Sequence, residues 1–177
     1  MSEGEDAIVI QGHDPRWKEA FEQEKGRLEE ALGDSALEIH HIGSTAVPGL
    51  AAKPVIDILV AVRDLGSPGP ILERLAALGY GPEPQDDQGR LFLRKGRPRT
   101  HHLHLVRRGT WPHYGHIWFR DYLMDHPPAR QEYERLKRIL ASRHGLDRDA
   151  YVRGKEGMVE MVLRKATREH LLLPRSD

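Results

Sequence analysis

Asp57 sits in the run VIDILVAV, Val55 to Val62, where every neighbour is apolar. Burying a carboxylate there costs several kcal/mol unless a cation or hydrogen-bond donors meet it. Side chains of a strand alternate faces, so Asp57 shares a side with Val55 and Leu59 while Ile56, Ile58 and Val60 cover the other. Two uses are open for such a group: a structural pair with an arginine, or a catalytic or metal-binding role facing a cleft. Farther along, THHLHLV places His102 and His104 on one face of a strand, with His101, Leu103 and Leu105 on the other. Two imidazoles so spaced converge on one ion or one phosphate, and with Asp57 they form a two-histidine, one-carboxylate set of the kind that holds a divalent metal. The competing reading is an exposed strand face with solvated histidines.

Upstream, GSTAVPG gives a flexible Gly43 followed by the hydroxyls of Ser44 and Thr45. Exposed N–H groups in such a turn suit a phosphate, although the length and lysine of a P-loop are missing. Cations that flank the proposed cleft in sequence are Lys53, Arg90, Arg94, Lys95, Arg97 and Arg99; the last four read first as a solvated hairpin tip, whereas Arg90 and Arg94 share the parity of Phe92 and are candidates to line a face. Lys155 falls inside the helical stripe of Tyr151, Met158, Val159, Val162 and Ala166, where it meets an anion or snorkels to the edge. Its helix also carries Gly154 and Gly157, each costing about 1 kcal/mol of helix propensity, so that helix is not optimised for helicity alone. Arg120 is a phosphate candidate beside Asp121, which reads equally as its local ion-pair partner. His113 and His116 read as solvated, and only one of His40 and His41 shares a face with Ser44.

The elements that must position these groups follow from periodicity. A short strand over Ala7–Gln11 precedes a helix with Asp14 as N-cap, Pro15 at its first position and Gly33 at its stop. Strands over Leu37–Ile42 and Val55–Val62 come next, the second buried on both faces, then a helix over Gly69–Leu78 capped by Gly79. Tyr80–Gln88 is broken by Pro and Gly into a loop, and Leu91–Lys95 with Thr100–Val106 form a hairpin around GRPR. Helices over about Tyr114–Asp125, Pro127–Arg143 and Asp149–Arg168 complete the chain. The order argues for one α/β or α+β domain, a core over about 7–110 with C-terminal helices over about 111–173 closing one side as a subdomain or lid.

Composition narrows the partners. Lys plus Arg and Asp plus Glu are both 27 in 177 residues, so no global field drives the chain onto nucleic acid or an anionic membrane, and neither partner is expected. Absence of cysteine removes disulfides and thiolate chemistry and leaves eleven histidines as the soft ligands. The acidic start MSEGEDAIVI and the absence of a long apolar run lead us to expect a soluble cytoplasmic protein. No oligomeric state follows from these features.

The motifs DPRW, HIGSTAVPGLAAKPVIDILV, RLFLRKG, RTHHLHLV and FRDYL, then Tyr151 with Lys155 four later, stand in an order that closely resembles the GrpB family over about residues 7–168. That family is similar to the nucleotidyltransferase superfamily, in which a Gly-Ser turn is followed by a strand with an Asp-x-Asp pair and a later acidic strand that hold Mg²⁺ against a nucleoside triphosphate. By this resemblance Gly43 and Ser44 match the turn and Asp57 matches one acidic position, but Val55 and Leu59 stand where the second acid is expected, and His102 and His104 replace the later one. The resemblance implies a nucleotidyltransferase-like mixed sheet flanked by helices. It also implies a metal-assisted nucleotidyl- or phosphoryl-transfer enzyme acting on a small nucleotide or phosphorylated metabolite. In that expectation Gly43, Ser44 and Thr45 hold phosphate with Lys53, Arg94, Arg120 and Tyr151 nearby, Asp57, His102 and His104 hold Mg²⁺, Mn²⁺ or a softer ion, and Lys155 acts with Asp57 in catalysis. A non-catalytic nucleotide- or metabolite-binding module, and a metal enzyme of different chemistry built on the histidine pair, are the alternatives.

Overall fold

The computed structural model describes residues 7–84 and 89–172. Its elements run α1 (Arg16–Leu32), β1 (Glu38–Ile42), β2 (Ile56–Val62), α2 (Gly69–Ala77), β3 (Tyr80–Pro82), β4 (Arg90–Lys95), β5 (His101–Arg107), α3 (Trp111–Asp125), α4 (Pro127–His144) and α5 (Arg148–Leu172). The sheet has the order β1-β2-β5-β4-β3, with β2 and β5 parallel and every other pair antiparallel. This is the mixed sheet flanked by helices that the sequence leads one to expect.

Strand parity divides the sheet into two faces of different chemistry. Ile56, Ile58, Val60, Leu103 and Leu105 point to one side, where Trp17, Phe21, Leu28 and Leu32 of α1 and Leu75 of α2 close the main core. Full burial of each such side chain contributes about 1.5–3 kcal/mol, so this face supplies most of the driving force. One carboxylate lies within it: Glu24 of α1 accepts bonds from the Tyr80 hydroxyl at 2.9 Å and Lys95 Nζ at 2.7 Å, tying the helix to β3 and β4. The opposite face carries Asp57, His102 and His104 beside the small apolar cluster of Ile42, Leu59, Ala61 and Val106, and α3 lies over it. A separate cluster of Val47, Leu50, Tyr122, Leu123, Tyr133, Val162 and Ala166 joins the GSTAVPG loop to α3, α4 and α5. The helical last third is therefore a wall built onto the polar face of the sheet.

Several boundaries differ from expectation for local reasons. Ala7–Gln11 forms no strand: Gln11 exchanges two bonds with Ala52, but the Ile8 amide goes to Gly145, so no ladder can continue. Tyr80–Pro82, expected as loop, is edge strand β3, where the missing N–H of Pro82 is tolerated; residues 85–88 of that expected loop lie outside the described residues. Asp14 caps α1 from two residues back, its Oδ1 accepting from the Arg16 amide at 2.9 Å. Helix α3 starts at Trp111 rather than Tyr114, which brings His113 and His116 into its first two turns.

Candidate active site

The register of β2 on β5 sets Asp57 opposite His102 and Leu59 opposite His104. His102 Nδ1 lies 3.0 Å from Asp57 Oδ1, and His104 Nε2 lies 3.9 Å from the same oxygen. Burial works to raise the Asp57 pKa, but the His102 hydrogen bond and the nearby His104 imidazole outweigh it and hold the carboxyl well below the usual range. An ionised Asp57 fixes the proton of His102 on Nδ1. The other nitrogen, Nε2, is then the basic one, and it is buried without a hydrogen-bond partner among the described residues. His104 is oriented from its far side by Arg90, whose Nη1 donates to Nδ1 at 3.0 Å, and the Phe92 ring lies 5.1 and 5.0 Å from the two imidazoles.

Gly43 makes the close approach possible. Its φ is +71°, and a β-carbon built there would stand 2.5 Å from Asp57 Oδ2, so both the backbone angle and the contact require glycine. Ser44–Ala46 then form one 3-10 turn. Thr45 is buried and spent on structure, linking His41 Nε2 at 3.0 Å and the Val55 carbonyl at 3.3 Å.

Asp57 lies where two cavities meet. The first, about 230 Å³, is lined by Ser44, Thr45, Asp57, His102 and Tyr151 together with Lys53, Arg99, Lys137, Arg148 and Lys155. Burial lowers the Lys155 pKa, Asp57 opposes the shift, and the ammonium rests 4.4 Å from the centre of the Tyr151 ring. Lys137, pushed down to about 7 by burial, donates to the Ala51 carbonyl. The second cavity, about 480 Å³, lies on the other side of Asp57 and is lined by Gly43, Arg90 and His104 with Trp111, His116, Phe119, Val159 and Leu163. His116 is driven down to about 3 by burial and stays neutral, its ring 4.6 Å from that of His104. One pocket suits anionic oxygens, and its neighbour suits a flat or apolar group.

Residues 7–165 match the family model described as GrpB protein. The chain belongs to the GrpB family. It is 37% identical over 164 residues to the glutamate-rich protein GrpB of Alkalihalophilus pseudofirmus, covering 88% of this chain and 94% of that protein. Similarity to the UPF0157 protein YqkA of Bacillus subtilis is 38% over 158 residues, 88% of this chain but 46% of YqkA, so the chain spans just under half the length of that relative. The crystal structure of the conserved protein GrpB from Enterococcus faecalis superposes with a TM-score of 0.85 at 34% identity, covering 92% of this chain and 99% of that one. A dephospho-CoA kinase of Mycolicibacterium paratuberculosis is 32% identical over 181 residues, 86% of this chain and 44% of the kinase. No helix among the described residues is long and apolar enough to cross a membrane.

Within this GrpB fold the sequence-derived candidates separate into two groups. Gly43, Ser44, Thr45, Lys53, Asp57, Tyr151, Lys155, His102 and His104 are brought together around the two cavities. Arg120 and Arg94 are not: Arg120 donates to the His41 carbonyl at 2.9 Å and pairs with Asp121 at 2.6 Å, and Arg94, though opposite His102, pairs with Glu83. Both guanidiniums hold the scaffold. Arg99, expected at a solvated hairpin tip, lines the basic cavity instead. His113 and His116, expected in solvent, are buried and half-buried respectively, because α3 begins one turn early and lays them towards the sheet. Arg148 and Lys137 were not foreseen, and only the burial of Lys137 in an amphipathic helix could have hinted at it.

The metal expectation meets a geometric test at Asp57. One ligand atom each from Asp57, His102 and His104 cannot be chosen so that all lie within 4.8 Å of one another, and Val55 and Leu59 add no oxygen. As arranged, these residues do not fit a three-ligand divalent centre.

Proposed function

We propose that this GrpB-family chain binds a phosphorylated small molecule in the basic cavity and catalyses phosphoryl or nucleotidyl transfer to a hydroxyl acceptor. The observation that carries this reading is the Asp57–His102 pair placed at the border of a cavity lined by Lys53, Arg99, Lys137, Arg148 and Lys155. In the reaction, His102 Nε2, closed off in this structure, is uncovered as the acceptor binds and takes its hydroxyl proton, the acceptor oxygen forms the new O–P bond, and the bond from phosphorus to the leaving oxygen breaks. Lys155 and Arg148 stabilise the charge on that oxygen, which in phosphoryl transfer is where most catalysis lies. Asp57 keeps His102 in the productive tautomer, as a carboxylate does for the base in a catalytic triad. The aromatic cavity beyond Asp57 accommodates a base or other flat group of the same molecule. Support of a weaker kind comes from the likeness of the chain to a segment of a protein named as a dephospho-CoA kinase, and from the Gly43-Ser44 turn and Asp57, which resemble the nucleotidyltransferase pattern.

The lone carboxylate favours a second reading, a binding module without turnover. Calorimetric titration with pyrophosphate and with nucleoside triphosphates, each with and without Mg²⁺ or Mn²⁺, separates the two. Saturable binding that Lys155→Met and Arg148→Met each weaken by about tenfold, equivalent to about 1.4 kcal/mol, supports the site. Turnover lost in His102→Gln with binding retained supports transfer; binding with no turnover of any acceptor supports the module. Absence of binding under every condition overturns both, and binding that requires the divalent ion restores the metal-assisted form.

A further inference from the structure

A different side-chain cluster has the geometry that Asp57 lacks. Glu38 and His40 lie two apart on β1 and so face the same way, and the first turn of α3 lays His113 over them. Nε2 of His40 stands 2.9 Å and Nε2 of His113 3.0 Å from the same Glu38 oxygen, Oε2. One ligand atom from each residue lies within 4.8 Å of the other two, and no other such group of His, Asp and Glu occurs among the described residues. Ligands about 2.0–2.2 Å from a tetrahedral ion stand a little over 3 Å apart, so this spacing needs little adjustment to close on one. The second Glu38 oxygen is gripped by Arg108 Nε at 2.7 Å, which orients the carboxylate in advance.

We propose that Glu38, His40 and His113 form a binding site for a Zn²⁺-class divalent ion, with two imidazole nitrogens, one carboxylate oxygen and a fourth position open to water. Two nitrogen ligands select against Mg²⁺ and Ca²⁺, which want oxygen throughout. Access is from the β1 side, where His40 and Glu38 keep 31% and 27% of their side-chain surface exposed, while His113 at 5% is the buried anchor. The ion joins strand β1 to helix α3. Because Trp111, His116 and Phe119 of the same helix line the larger cavity, loading fixes that wall against the sheet. One local change accompanies it. The Gly109 amide donates to His113 Nδ1 at 3.3 Å, and an ion on Nε2 moves the ring proton to Nδ1, so this bond opens. The Gly109 amide thus reports occupancy. This site does not depend on the transfer reading above.

The test uses the full chain without a histidine tag, stripped with a chelator, then titrated with Zn²⁺ by calorimetry and with Co²⁺ by visible absorption. Expected are one equivalent bound at micromolar concentration or tighter, Co²⁺ bands of a four-coordinate site, no displacement by excess Mg²⁺, and a shifted Gly109 amide resonance. Glu38→Gln and His40→Ala, both at partly exposed positions, should each weaken binding by at least about tenfold, while the double variant Asp57→Asn, His102→Gln leaves it unchanged. His113→Ala removes a buried ring and is read only alongside a folded far-ultraviolet spectrum. Binding that survives His40→Ala and Glu38→Gln, binding lost with the Asp57 double variant instead, or no binding below millimolar Zn²⁺ overturns the proposal.

Discussion

The α-carbon of Gly43 faces the carboxylate of Asp57 so closely that a methyl group there would reach 2.5 Å from Oδ2. Gly43→Ala therefore combines two penalties, a left-handed backbone angle costing about 1 kcal/mol or more and displacement of Asp57. Gly49, with φ of +79° and nothing within 4 Å, supplies the control that carries the backbone penalty alone. Urea unfolding should show Gly43→Ala as the more destabilised of the two, and only Gly43→Ala should shift the His102 ring resonances.

Replacing Asp57 by Asn removes the anion that keeps the His102 proton on Nδ1. Imidazole ¹⁵N shifts should report the Nδ1–H form in the parent and a mixed or Nε2–H form in Asp57→Asn. Where transfer activity is measured, the same change should lower turnover by about 10³–10⁴-fold, the scale seen when a base loses its orienting carboxylate. An unchanged tautomer would show that Asp57 does not set it.

Lys137 gives a pH dependence with a definite sign. Burial lowers its pKa from 10.5 to about 7, so below pH 7 folded and unfolded chains both carry its charge and the cost of burying it is felt in full. Between about pH 7 and 10.5 the unfolded chain binds the additional proton, and stability should rise with pH by up to about 1.4 kcal/mol per unit. Denaturant unfolding across this window should show the rise in the parent and a shallower one in Lys137→Met, where Lys155, also lowered by burial, still contributes.

The two glycines of α5 should respond to alanine in opposite directions. A β-carbon on Gly154 would overlap the δ-methyls of buried Leu140 on α4, whereas one on Gly157 meets nothing within 4 Å. Overpacking costs about 1–3 kcal/mol, so Gly154→Ala should lower the thermal midpoint. Gly157→Ala should raise it, gaining about 0.5–1 kcal/mol of helix propensity.

Local periodicity was enough to put Asp57 on one strand face, to pair His102 with His104, and to place Lys155 on the packing stripe of its helix, because alternation and the 3.6-residue turn are fixed by the backbone alone. The Gly43 requirement was likewise visible as a turn. Which strands are neighbours is a different matter: the parallel register that sets Asp57 opposite His102 joins residues 45 apart, and nothing within either segment encodes it. Long cations are the least legible of all, since a guanidinium on a flexible stem takes whichever acceptor the fold brings within reach; for Arg120 that is the His41 carbonyl and for Arg94 it is Glu83. The meeting of Glu38, His40 and His113 exists only because α3 crosses the sheet above β1. Sequence by itself thus determined which groups share a face, and tertiary structure decided which faces meet, because facing is a property of one backbone while meeting needs contacts between segments far apart along the chain.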